Sequence, residues 1–216
     1  MISFATLPPT ISTLRHYAPR QPVDLSSRQV MIIQHGLVNL GTGSSSGEET
    51  TLAVLTSGSL LNNLWTRSGG TRSYQPEHDE IAYALTEVAL KVVNRSDVDY
   101  LLRTQPSFGR ELIRALGVRA RQLERHWVMV NAPQVRQRLL LFLNRLAEQD
   151  GHRQSRTVVI DNFLTHNDLA RITNASRQAI SAGIKQLEQD GLITYSRRRI
   201  VLTARFPWTD IAGPYA

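Results

Sequence analysis

Apolar residues in the first half of the chain form short runs separated by turn residues. Between residues 30 and 93, "VMIIQHGLVNL" predicts two strands around Gly36, "TTLAVLTSGSLL" predicts strand, turn and strand, and "IAYALTEVALKVV" is again rich in β-forming residues. The stretch "GTGSSSGEE" predicts a hairpin loop, and residues 1–22, rich in Pro, Thr and Ser, predict an irregular lead-in. This spacing predicts a small antiparallel β-roll or barrel.

A helical period replaces this pattern after residue 100. Apolar residues recur at intervals of three or four and form one stripe on a long helix: Phe108, Leu112, Leu116, Ala120, Leu123, Trp127 and Val130. The stripe fits either a helix packed on its own domain or a coiled-coil-like dimer seam, and the pattern leaves both open. Residues 131–133 break the helix, and Pro133 fits the first turn of a second helix that ends at Gly151.

The most informative stretch is "LTHNDLARITNASRQAISAGIKQLEQDGLITYSRRRIVL", residues 164–202. Thr165 and Asp168 have the spacing of a capping box at the start of a short helix. Asn174 tolerates the left-handed backbone that a helix-turn-helix needs at its turn, and Ser176 can cap a second helix. We expect the second helix to bury Ile180, Ile184 and Leu187.

The opposite face of that second helix carries side chains that hydrogen-bond base edges or phosphates. Beyond Gly191, two short strands predict a hairpin with an arginine run at its tip, which is typical of a wing that contacts DNA phosphates. The residues that we expect to contact DNA are Arg177, Gln178, Ser181, Lys185, Ser176, Thr165, Arg197, Arg198 and Arg199.

Charge supports a polyanionic partner. The net charge is +7, the sequence pI is about 10.3, and residues 134–216 carry 12 Lys+Arg against 7 Asp+Glu, a net of +5.

The chain has no cysteine, which excludes disulfides, thiolate catalysis and cysteine-ligated metal centres. No apolar run has the length of a transmembrane helix and the first residues do not resemble a signal peptide, so we expect a cytoplasmic protein.

Residues 164–202 resemble the superfamily of the cyclic-AMP receptor protein and the fumarate–nitrate regulator (CRP/FNR), above all in "SRQAISAGIKQLEQDGLI". The resemblance implies an α+β fold with an N-terminal antiparallel β-roll (a cupin-like jelly roll) over residues 1–100, a long dimerisation helix over 101–132 and a winged helix-turn-helix over 133–216. It implies a homodimer on palindromic double-stranded DNA, base contacts from Arg177 and Gln178, and RNA polymerase as a partner. Ala182 stands where the family often has another base-contacting arginine.

The sensor half departs from the nucleotide-binding members of that family. The arginine–serine pair of their phosphate-binding cassette is missing near Pro76 and Glu77, so cyclic AMP is not expected. Arg67 and Arg72 could instead hold a small anionic effector of unknown identity. We expect no cofactor, no metal site and no enzymatic activity, because no nucleophile–base pair or phosphate loop stands out. The alternative function is a degenerate family member that acts as a protein-interaction module.

Overall fold

The computed structural model describes residues 7, 9–25, 29–43, 49–61, 79–161, 164–196 and 198–208. The chain divides into two compact units, Met1–Glu124 and Arg125–Ala216. Each unit has its own sheets, helices and buried residues, and each is described by itself.

The described residues of the first unit form two three-stranded antiparallel sheets. Their strands are β1 (Ser12–Tyr17), β2 (Gln29–His35), β3 (Val38–Gly43), β4 (Glu49–Leu55), β5 (Asp79–Ala84) and β6 (Val88–Asn94). One sheet has the order β1-β6-β2 and the other β4-β3-β5. A single apolar cluster takes Met31 and Ile33 from the first sheet and Leu40, Leu55 and Ala84 from the second, so it forms the core between them. The predicted strands around Gly36, which has a φ of 88°, are confirmed.

Strand β2 is buried on both faces. Met31 and Ile33 lie in the core between the sheets, whereas Val30 and Ile32 belong to a second cluster with residues of two helices. Those helices are α1 (Arg95–Thr104) and α2 (Pro106–Val130). A strand that is covered on both sides needs apolar residues at consecutive positions, which explains the unbroken run in "VMII".

The helix expected over residues 101–132 is two helices, because the chain leaves helical geometry at Gln105, with a φ of −137°. Pro106 then starts α2. The N–H groups of the first turn have no partner within a helix, so proline, which lacks an N–H, loses no hydrogen bond there. The sequence pattern also missed β1, which lies inside the expected irregular lead-in. Among the described residues, β1 is an edge strand that pairs with β6 alone, and its residues do not alternate between apolar and polar.

The second unit is built from α3 (Val135–Asp150), β7 (His152–Gln154), β8 (Thr157–Asp161), α4 (His166–Ile172), α5 (Arg177–Gln189), β9 (Ile193–Tyr195) and β10 (Arg199–Leu202). Its four strands form one antiparallel sheet in the order β7-β8-β10-β9. The segment expected as a polar loop after Gly151 contains β7, whose side chains are all exposed. Pro133 precedes the N-cap of α3, Gln134, and therefore lies just outside that helix.

Gly151 ends α3 as predicted, but for a reason other than a left-handed backbone. Its φ is −76°, which any residue can adopt. A Cβ at this position would lie 2.3 Å from the carbonyl oxygen of Ala147 and 2.5 Å from Cγ1 of Val158. The close approach of strand β8 to the end of α3 therefore requires glycine here.

Candidate nucleic-acid interface

The first helix of the helix-turn-helix, α4, begins with the predicted capping box. The backbone N–H of Asp168 donates to Oγ1 of Thr165 over 3.2 Å, and the backbone N–H of Thr165 donates to Oδ2 of Asp168 over 2.8 Å. The buried face of α4 is Leu169, Ala170 and Ile172, as expected. Two N–H groups that a helix start leaves unpaired are thereby satisfied, which fixes where the motif begins.

The turn between α4 and α5 is held by a residue of α3. Asn174 has a φ of 48°, so the predicted left-handed position is confirmed. The guanidinium of Arg138 donates to the carbonyl oxygens of Ala132, Thr173 and Asn174 over 2.7, 3.2 and 2.7 Å. These carbonyls include the C-cap of α4, where a cation is favoured by the helix dipole. The sequence pattern did not identify Arg138.

The second helix, α5, is anchored by one apolar face. Ile180, Ile184 and Leu187 are buried as predicted, and Ser176 caps the helix by accepting from the backbone N–H of Ala179 over 3.1 Å. A Cβ at Gly183 would lie 2.7 Å from Cδ1 of Leu139 on α3. Glycine thus lets α5 pass close to α3, with the opposite face of α5 turned outward.

That outward face carries Arg177, Gln178 and Lys185, all exposed. Among the described residues, none of these three side chains forms a hydrogen bond or an ion pair within the chain. The first turn of α5 contains no acidic residue, so Arg177 reinforces the positive end of the helix dipole. The surface formed by Arg177, Gln178 and Lys185, which we call the reading face, can therefore donate hydrogen bonds to an anionic or carbonyl-rich ligand.

Two other predicted contact residues are already engaged within the chain. Ser181 is half-buried, and its hydroxyl lies 3.0 Å from the carbonyl oxygen of Arg177 and 2.9 Å from Nδ1 of His166. The hydroxyl of Thr165 lies 2.6 Å from Oδ2 of Asp168 besides accepting from its N–H. A contact from either residue to a ligand would compete with these bonds.

The wing is the β9–β10 hairpin. Its turn is closed by the backbone N–H of Ser196, which donates to the carbonyl oxygen of Arg199 over 2.8 Å, and by the Ser196 hydroxyl, which accepts from the Arg199 N–H over 3.0 Å. Arg198 and Arg199 are exposed. Arg197 lies outside the described residues.

The end of α5 is tied to α3 by charge. Arg136 forms an ion pair with Asp190 with an N–O distance of 2.5 Å, and Gln186 donates to the same carboxylate over 2.9 Å. The hydrogen bond from Gln186 and the hydrogen bond from Arg136 hold the pKa of Asp190 below its usual range. Gly191 follows with a φ of 68°, which confirms the predicted helix stop.

The predicted stripe on α2 divides into two groups in the structure. Phe108 and Leu112 are buried in the core of the first unit, and Leu116 and Leu123 are partly buried against that unit's apolar clusters. For Phe108 and Leu112 the packing matches the core-helix alternative, and these two side chains offer no surface to a second copy. Trp127 is 70% exposed, Ala120 is exposed and Val130 is half-buried; Ile113, which the stripe omitted, is 71% exposed.

The candidate effector residues Arg67 and Arg72 and the expected cassette position lie outside the described residues. No helix among the described residues combines the length and the apolar character needed to cross a membrane.

Comparison with known proteins identifies the C-terminal motif. Residues 137–205 match the model of the Crp-like helix-turn-helix domain. The chain is 21% identical over 187 residues to a CRP-like cAMP-activated global transcriptional regulator of Mycobacterium tuberculosis, covering 87% of this chain and 79% of that protein. It is 24% identical over 201 residues to a global nitrogen regulator of Nostoc, covering 90% and 86% respectively.

Solved structures show the same fold over nearly the whole chain. FixK2 from Bradyrhizobium japonicum superposes with a TM-score of 0.73 at 18% identity, covering 95% of this chain and 100% of that one. A CRP/FNR family regulator from Thermus thermophilus gives a TM-score of 0.67 at 18% identity, covering 93% and 98%.

A capped two-helix motif with an adjoining hairpin wing defines the class: a winged helix-turn-helix protein of α+β fold, with antiparallel sheets before a long helix. The matched domain identifies residues 137–205 as a Crp-like helix-turn-helix, and over most of its length the chain is similar to transcription regulators of the CRP type.

Proposed function

We propose that this regulator binds a palindromic DNA site as a homodimer, with α5 in the major groove of each half-site. The observation that carries the proposal is the reading face. Its residues Arg177, Gln178 and Lys185 are exposed, and their side chains make no hydrogen bond or ion pair within the described part of the chain, although α5 is anchored by its buried apolar face. Unpaired donors on a rigid helix bind a ligand without first breaking internal bonds.

Within this proposal the residues of α5 have distinct roles. Arg177, at the first position of the helix, donates in bidentate fashion to guanine, and Gln178 contacts the neighbouring base. Lys185, two turns later, contacts a phosphate and contributes affinity rather than sequence preference. The cap residue Ser176 is exposed, and among the described residues no acceptor takes its hydroxyl proton, so it can donate to a phosphate near the helix N-terminus.

The wing supplies contacts outside the major groove. Arg198 and Arg199 are exposed next to the short turn of the hairpin, and their charge suits a neighbouring phosphate. These contacts are independent of base sequence, so their loss should weaken binding to every duplex.

A second copy of the chain is the proposed partner of α2. Ile113, Ala120 and Trp127 are separated by seven residues, the repeat of a coiled-coil seam, and all three are exposed. Two of them are large apolar side chains with over two-thirds of their surface in water, which is the arrangement expected where a helix meets its mate. In this seam Ile113 takes the place that the sequence pattern gave to Leu112.

The proposal for the sensor half is that its effector is not cyclic AMP. It rests on the sequence alone, which lacks the arginine that would pair with a cyclic phosphate near Pro76 and Glu77. Calorimetric titration with cyclic AMP should give no heat of binding at millimolar ligand; saturable binding at micromolar concentration would refute this part.

Selection from a random duplex pool tests the DNA-binding proposal. The full-length protein should enrich an inverted repeat whose half-sites lie about 10 base pairs apart, the spacing that two symmetry-related recognition helices require. Enrichment of no sequence would favour the alternative, an interaction module without its own operator.

Light scattering coupled to gel filtration tests the seam. The wild-type protein should have the mass of a dimer, and Trp127→Glu should lower that mass towards the monomer. Tyr100→Glu is the matched control, because Tyr100 is 63% exposed but lies on α1. A Trp127→Glu protein that remains dimeric at micromolar concentration would remove this residue from the seam.

A further inference from the structure

One side chain of α4 contacts both the recognition helix α5 and the wing strand β9. His166 is the first residue of α4. Its Nδ1 lies 2.9 Å from the hydroxyl oxygen of Ser181 on α5, and its ring centroid lies 5.5 Å from that of Tyr195 on β9, with an angle of 54° between the ring planes. The start of α4, the middle of α5 and the first strand of the wing therefore meet at this imidazole.

The proton count at Ser181 determines the direction of the histidine bond. A serine hydroxyl has one proton, and the oxygen of Ser181 is within hydrogen-bond distance of two groups, the carbonyl oxygen of Arg177 at 3.0 Å and Nδ1 of His166. The carbonyl can only accept. Both contacts are hydrogen bonds only when the hydroxyl donates to the carbonyl and Nδ1–H donates to the hydroxyl oxygen. The geometry thus favours His166 with its proton on Nδ1.

The wing strand is attached to the same place by its backbone and by its tyrosine. The backbone N–H of Tyr195 donates to Oε1 of Glu188 at the end of α5 over 2.9 Å, and its phenol donates to the carbonyl oxygen of Leu164 just before α4 over 3.3 Å. The turn that carries Arg198 starts at the next residue, Ser196. Displacement of Tyr195 would therefore displace the tip of the wing.

We propose that His166 is a positioning residue that sets the wing relative to the recognition helix, and that Ser181 is its partner on α5 rather than a base-reading side chain. The inference rests on the proposed DNA binding. A rigid linkage between wing and helix lets the phosphate contact of Arg198 and the base contact of Arg177 form together on one duplex. Loss of the linkage leaves each surface intact but no longer held at the spacing that the duplex requires.

The first test needs no DNA. A long-range nitrogen–proton correlation spectrum of the full-length protein at neutral pH should show the imidazole of His166 in its Nδ1–H form, the signal being assigned by its disappearance in His166→Asn. Ser181→Ala should shift it towards the Nε2–H form, while Ser176→Ala, which removes a neighbouring serine hydroxyl, should leave it unchanged. A signal in the Nε2–H form in the wild type would overturn the inferred bond.

The second test is a double-mutant cycle on the selected duplex. In the wild-type background, Arg198→Ala should reduce the slope of log affinity against log salt by about one, the loss of a single phosphate contact. In the His166→Ala background, Arg198→Ala should reduce the slope by less than about half a unit. The wing is then no longer held in position and does not make the phosphate contact. His166→Asn, whose amide N–H lies near the place of Nδ1 but which lacks the ring that contacts Tyr195, should restore only part of the wild-type response.

Equal effects of Arg198→Ala in both backgrounds would overturn the proposal. Because His166→Ala could also unfold part of the domain, Ser181→Ala provides the same test by removing only a hydroxyl, and it should give the same reduced response. If the wild-type protein binds no duplex, the proposed function itself fails, and the spectrum of His166 still decides whether the linkage exists.

Discussion

Arg138 should control the stability of the helix-turn-helix, and Arg138→Met tests this. Methionine keeps an unbranched apolar side chain but removes the guanidinium, and with it three hydrogen bonds to the carbonyl oxygens of Ala132, Thr173 and Asn174. Each such bond from a charged donor contributes about 1.5–3 kcal/mol when buried, but water can replace part of it here, because Arg138 is half-buried and Asn174 is exposed. We therefore expect a total loss of about 2 kcal/mol in the local free energy of opening.

Hydrogen exchange followed by mass spectrometry measures this loss element by element in the full-length protein. A loss of about 2 kcal/mol corresponds to a roughly 30-fold fall in the protection of amides in α4 and α5. Peptides from β2, in the other unit, should keep their protection. Arg153→Met is the matched control, because Arg153 is exposed on β7. Unchanged protection of α4 and α5 in Arg138→Met would refute the reasoning that these carbonyls depend on the guanidinium.

Three further changes follow from the same motif. Asn174→Val should destabilise the domain by about 1–2 kcal/mol in urea unfolding, because a β-branched residue is strained at a φ of 48°, whereas Asn174→Gly should be nearly neutral; equal losses would contradict this. Ser176→Ala should lower the free energy of urea unfolding by about 1 kcal/mol, because α5 loses its cap; an unchanged free energy would show that water replaces the cap hydrogen bond. The depressed pKa of Asp190 means that its bonds with Gln186 and Arg136 stabilise the fold fully above pH 3.8, and that this contribution disappears as the pH falls through the lower pKa of the folded state. Asp190→Asn should therefore make the free energy of unfolding less dependent on pH in the acid range. An unchanged pH dependence would contradict the role given to the Asp190 carboxylate.

The helix-turn-helix could be predicted from the sequence because its signals are local. The capping box at Thr165, the left-handed Asn174 and the buried face of α5 each depend on residue types at fixed short spacings. Arg138 and His166 could not be found in this way. Arg138 contacts the turn through the carbonyl oxygens of Thr173 and Asn174, 35 and 36 residues away, and His166 contacts a serine on another helix. No residue pattern marks such contacts.

The elements that the pattern missed have no strong apolar period. β7 exposes all its side chains, and β1 is an edge strand on which Leu14 is 55% exposed. On α2 the pattern found the helix but assigned one stripe where the structure has two surfaces. Phe108 and Leu112 pack into the core of the first unit, whereas the exposed residues Ile113 and Trp127 lie on another face of α2. Spacing alone cannot distinguish which surface meets the rest of the chain and which stays uncovered.

Sequence-specific binding to DNA depends most on the contact between Arg177 and a base. The direct measurement is the affinity of the wild-type protein and of Arg177→Ala for the selected operator and for every single base-pair substitution in one half-site. The wild type should lose about 1–3 kcal/mol, roughly 5- to 150-fold in affinity, when the guanine opposite Arg177 is replaced. Arg177→Ala should bind all bases at that position equally, and Arg153→Ala should keep the wild-type preference. An Arg177→Ala protein with undiminished selectivity at every position would contradict the account.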